Sequence, residues 1–140
     1  MSFAIDGIRA ALAAQIAAQI PGLRTTATVP GQISPPAAVV RPARGTFVTY
    51  GQTMGDNATD LTFDIIVLTA AGSDRTGQTE LDGYLSPDGP VSVWAAIRAD
   101  PTLGGAVSYA YLDRASGYGL MEYAGVQYLA ATLSVIAGAP

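Results

Sequence analysis

The sequence predicts an α+β fold: a small antiparallel or mixed β-sheet, with an N-terminal helix and two short central helices packed on one side. Three observations carry that expectation. Apolar residues recur at helical spacing through the first 20 positions, the segment 59–69 alternates with the period of a strand, and the element order lacks the repeated strand-helix-strand alternation of a parallel α/β sheet.

Ser2 to Ile20 reads as a helix, because Ile5, Ile8, Leu12, Ile16 and Ile20 recur every three or four residues among helix-favouring alanines. Ser2 is a candidate N-cap, Asp6 sits near the positive helix end, and Pro21-Gly22 terminates the run. The stripe drifts around the helix, so Gln19 falls among its apolar positions. Between Leu23 and Tyr50 short extended segments are expected near 24–29, 37–41 and 46–50, kept short by Pro30, Pro35, Pro36 and Pro42. Gly51 to Asn57 is a polar loop.

In the strand 59–69, Leu61, Phe63, Ile65 and Val67 share one face, and Thr62, Asp64, Ile66 and Leu68 the other. A helix from Ser73 through Leu85 follows, then a turn at Ser86-Pro87-Asp88-Gly89-Pro90. A second short helix spans Ser92 to Asp100, burying Val93, Trp94 and Ile97, and stops before Pro101. Two β-rich stretches close the chain, 106–113 and 121–136, separated by a turn at Ser116-Gly117-Tyr118-Gly119, with Gly125 bulging or kinking the second.

The 140 residues fit one domain, 1–140, large enough for a core without metals or disulfides. Apolar residues make up 49% and charged residues only 13%. A surface so poor in charge points to coverage by other subunits, although part of the apolar excess follows the Ala-rich, all-Arg composition of a GC-rich genome. The net charge of -4 argues against gripping nucleic acid, which requires basic side chains to displace counterions. With no Cys and no His, the chain cannot form disulfides, thiolate sites, a Ser-His-Asp triad or a typical zinc site. Neither a signal peptide nor a run of the ~18 to 20 apolar residues needed to cross a bilayer is seen, so a protein made in the cytosol and not bound to membrane is expected.

Candidate chemical sites are sparse. Asp113 and Glu122 flank the final hairpin and could be read as a glycosidase-like carboxylate pair, but so small a domain offers no large sugar cleft. Asp56, Asn57 and Asp60 lack the ligand spacing of a calcium loop and read as a polar turn. The Gly pairs match no nucleotide-binding pattern, and the absence of Lys excludes a phosphate-binding P-loop. No catalytic residue, cofactor or metal is expected, and the chain is read as a non-enzyme.

Tyrosines carry more information. Tyr109 and Tyr111 alternate to one face, with Tyr118, Tyr123 and Tyr128 nearby, and Tyr is enriched at interfaces. In the last strand Leu129, Ala131, Leu133 and Val135 supply a core face, while Val126, Tyr128, Ala130, Thr132 and Ser134 form an opposite face with no charge. Such two-sided apolarity favours packing between subunits.

The segments Tyr84-Leu85-Ser86-Pro87-Asp88-Gly89, Ser92-Val93-Trp94-Ala95-Ala96-Ile97 and Asp100-Pro101-Thr102-Leu103-Gly104-Gly105, together with the element order, resemble the tail terminator (tail completion) proteins of siphophages, especially those of actinobacteria. The resemblance is one of pattern across nearly the whole chain. It implies a virion protein of the tail or neck that forms a hexameric ring on the last tail-tube ring, stops polymerisation and offers a surface to the head-tail connector protein. The implied partners are further copies of the chain, the major tail-tube protein and that connector, with DNA passing through the lumen without specific binding. On this reading, contacts are expected from Met54 and Asp56 in the loop, Asp74 and Arg75 at the start of the first central helix, Arg98, and Tyr109, Tyr111 and Tyr128. A head-tail connector or tail-tube subunit, and a small-ligand binding module using a pocket between sheet and helices, are the alternatives.

Overall fold

Leu61, Phe63, Ile65 and Val67 are all fully buried, so the parity of one central strand decides which side of the sheet receives the helices. The computed structural model describes residues 5–26, 36–43, 47–49, 60–69, 75–123 and 125–138. Over these the element order is α1 (Ile5–Gln19), β1 (Arg24–Thr26), β2 (Ala37–Pro42), β3 (Val48–Thr49), β4 (Asp60–Thr69), α2 (Arg75–Leu85), α3 (Val93–Ala99), a 3-10 turn (Leu103–Gly105), β5 (Tyr109–Tyr123) and β6 (Val126–Gly138). The fold is α+β, as the sequence predicts. The expected caps Ser2 and Ser73 lie outside the described residues.

The strands form one mixed sheet in the order β1-β2-β4-β6-β5, with β3 beside the start of β4. Only β1 and β2 run parallel; all other pairs are antiparallel. Strand β4 pairs with β6 along its whole length, from Asp60↔Gly138 to Thr69↔Leu129.

The helices share one face. Ile8, Leu12 and Ile16 of α1, Leu81 and Tyr84 of α2, and Val93 and Ile97 of α3 join Phe63, Leu133 and Val135 in the main core. Gln19 is exposed because the apolar stripe has drifted past the sheet by the last turn of α1. Gln15 donates from Nε2 to the Ala96 carbonyl at 2.9 Å, tying α1 to α3. Helix α3 begins where Ser92, buried at the end of the Ser86–Pro90 turn, accepts from the Ala95 amide at 3.1 Å and donates to the Ser86 carbonyl. Trp94 is only half-buried, contrary to the expected inward position, because α3 is seven residues long and turns its indole to its flank, under Arg98.

On the opposite face a smaller cluster buries Ala37, Val39, Ile66, Leu68, Tyr128 and Ala130. Met121 and Tyr123, at the far end of β5, pack against it. In a flat ladder Tyr123, paired with Val126, would lie roughly 26 Å from the β6 position beside Asp64. Its packing on that cluster, and its place with Arg41 around one cleft, therefore require the hairpin end to fold back over the sheet. Two register shifts in β5, between Leu112 and Arg114 and between Ser116 and Gly119, provide the bend. Ser116 to Gly119 is thus not a turn between strands but a bulge inside one 15-residue strand, with Gly117 at φ 67. The chain reverses at Gly125, which adopts φ 81 and neither bulges nor kinks β6.

Two substitutions test this packing. Phe63 is fully buried and meets the Phe47 ring edge-on at 5.3 Å, so Phe63→Ala should cost about 3–5 kcal/mol in urea unfolding. Ser92→Ala should cost about 1–2 kcal/mol by removing the cap of α3.

Candidate functional site

Strand β5 is a sheet edge, and from Asp113 to Tyr118 every residue is exposed. Of the six exposed large apolar or aromatic side chains among the described residues, five belong to the hairpin it forms with β6: Tyr109, Tyr111, Tyr118, Leu120 and Val126. The sixth, Val91, precedes α3.

Tyr109 is held by what lies under it. Gly138 is its cross-strand partner, and a Cβ there would sit 2.2 Å from the ring, so the ring lies flat across β6. Its hydroxyl thereby reaches β4 and donates to Asp60 Oδ1 at 2.5 Å. Tyr111 stacks alongside, with ring centroids 6.1 Å apart and planes 21° apart. The hydrogen bond to the Asp60 carboxylate holds the proton on Tyr109, and partial burial adds to this, pushing its pKa up to about 12. Tyr118 donates instead to Asp82 of α2 at 2.9 Å; burial and then that bond raise its pKa. The edge strand is thus fastened to both layers.

The expected contact residues do not converge. Tyr109 and Tyr111 form one patch, as the alternation predicts. Tyr128 is buried in the opposite-face cluster and is corrected from a contact residue to a core residue, because the folded-back hairpin covers it. Arg98 lies over the Trp94 ring at 4.6 Å. Arg75 opens α2, but its side chain, like Met54, Asp56 and Asp74, lies outside the described residues.

The candidate carboxylates also separate. Asp113 pairs with its neighbour Arg114 at 3.0 Å, whereas Glu122 lies at the other end of β5. Asp60 serves as acceptor for Tyr109. Asp56 and Asn57 lie outside the described residues. Among the described residues no group of three or more His, Cys, Asp or Glu is placed to hold a metal ion. No described helix is long and apolar enough to cross a membrane.

Sequence reading missed one feature. Between the folded-back hairpin end and the opposite face lies an open cleft of about 350 Å³. Arg41, Asp64, Ile66 and Thr132 line its sheet side, and Met121, Glu122 and Tyr123 its hairpin side. Arg41 and Asp64 are cross-strand partners, but only a known register between β2 and β4 brings them together.

No protein-family model matches the chain, and no curated protein matches it.

The tyrosine latch has a pH signature. An unfolded tyrosine ionises near 10 and folded Tyr109 near 12, so its contribution to stability is complete below pH 10 and is lost as pH rises through 12. Comparing tyrosinate absorbance in the wild type and Tyr109→Phe should assign the late transition to this residue. In Asp60→Ala the transition should move toward 10, and Gly138→Ala, which displaces the ring, should do the same.

Proposed function

We propose that this chain is a non-enzymatic virion subunit that works by self-assembly, a tail terminator whose ring caps the tail tube. The observation that supports it is the concentration of exposed Tyr, Leu and Val on one edge hairpin of a protein with only 13% charged residues. Exposed aromatic and apolar side chains gathered on one element are characteristic of interfaces. The α+β order and the three quoted sequence segments add the resemblance to siphophage tail terminators.

The mechanism follows from a heterologous contact. If each copy offers one surface and receives another, rotation closes the set into a ring, with no copy left unpaired. One ring face then matches the tube end. The other lacks tube-like surfaces and blocks further addition, leaving a platform for the head-tail connector. A net charge of -4 suits a lumen through which DNA slides without being held. A head-tail connector or tail-tube subunit would use the same contacts but differ in what it stops or continues.

The cleft beneath the hairpin supports a second reading, a small-ligand module, since its volume falls in the range of ligand sites, but it lies on the face opposite the helices and not between sheet and helices.

Light scattering and negative-stain imaging of the purified chain should show a ring of roughly six copies, the number the resemblance implies. Added to polymerising tail-tube protein, it should shorten the tubes and appear at one end. A chain that stays monomeric at high concentration and leaves tube length unchanged overturns the proposal. Self-polymerisation into tubes would favour the tail-tube alternative, and stoichiometric binding of a small molecule by a monomer would favour the ligand module.

A further inference from the structure

Among the described residues the sheet ends at β1 on one side and at β5 on the other, and the two edges match each other. We propose that successive copies join edge to edge, with β5 of one copy pairing antiparallel with β1 of the next, an inference that rests on the ring reading above.

Strand β1 runs parallel to β2, and three antiparallel steps separate β2 from β5 through β4 and β6, so β1 and β5 point in opposite directions. A second copy generated by rotation about an axis along the strands therefore brings its β1 beside β5 with antiparallel polarity. That is the geometry whose hydrogen bonds run straight across the ladder. Pairing of two β5 edges across a twofold would leave both β1 edges open.

The two edges also match in length and chemistry. Strand β1 has three residues, Arg24–Thr26. The regular stretch of β5 between its two bulges is Arg114, Ala115 and Ser116, also three residues and all exposed. Arg24 and Thr26 lie on the opposite face with Ala37 and Val39, and Arg114 and Ser116 lie on it through Ser134 and Thr132. The register that keeps the faces matched sets Arg24 against Ser116, Thr25 against Ala115 and Thr26 against Arg114. The two guanidinium groups then sit on a diagonal and are not directly opposed.

From Asp113 to Tyr118 every residue of β5 is exposed, and no Pro, which commonly guards a free edge, occurs in the strand. The bulges bound the three-residue window without interrupting it.

The chain has no Cys, so introduced thiols report only on designed pairs. Thr25→Cys and Ala115→Cys proteins, mixed and treated with a short bismaleimide, should give a cross-linked dimer. The double variant should give a ladder of rungs ending at the ring number. Thr26→Cys with Arg114→Cys repeats the test should the first pair alter the thermal melt. Dimers from Ala115→Cys alone would mean β5 pairs with itself and would overturn the proposal. Wild-type rings with no cross-link from either pair would overturn it while leaving the ring reading intact. A monomeric wild type would overturn both.

Discussion

The ten-residue register between β4 and β6 is the constraint on which the rest of this structure depends. It sets Leu61, Phe63, Ile65 and Val67 toward the helices together with Leu129, Ala131, Leu133 and Val135. A slip of one residue would carry Thr62 and Asp64 into the core and expel Phe63. Strand β2 then takes its place on the other side of β4, and β1 follows β2. The positions of all three helices follow in turn, because each has its apolar stripe against that single face.

Much of this was legible in the sequence where a period was strong. Helix α1 declares itself through Ile5, Ile8, Leu12 and Ile16 at helical spacing, β4 through the alternate apolar positions Leu61, Phe63, Ile65 and Val67, and α3 through Ser92 ahead of an apolar run. The failures have one physical cause, dependence on partners distant in sequence. Ser116-Gly117-Tyr118-Gly119 has the chemistry of a turn, and a β-bulge uses the same chemistry; pairing with β6 is what makes it a bulge. Trp94 satisfies a helical period pointing inward, but a helix of seven residues cannot bury everything that its period selects. Tyr128 looks like a surface tyrosine until the hairpin end folds over it.

The candidate surface was half legible for the same reason. Alternation alone puts Tyr109 and Tyr111 together. Nothing local connects Tyr109 to Asp60, 49 positions away, or Tyr118 to Asp82, 36 positions away. Both bonds depend on where β5 lies relative to β4 and α2. The cleft beside Arg41 and Asp64 is likewise a product of the bend in β5 and leaves no trace in spacing. A long edge strand fastened to a helix on one layer and to a central strand on the other is firm where free edges ordinarily fray.

Firmness changes what Tyr109 offers to a visitor. An exposed tyrosine usually presents a mobile phenol, equally ready to give a hydrogen bond or to bury its ring. Here the missing side chain of Gly138 leaves a shallow seat into which the ring settles, and Asp60 occupies its hydroxyl. What faces outward is an aromatic plate with its polar end already committed and little rotational freedom left to lose. Contact with such a plate selects flat, weakly polar company and carries a smaller entropic cost than contact with a free side chain.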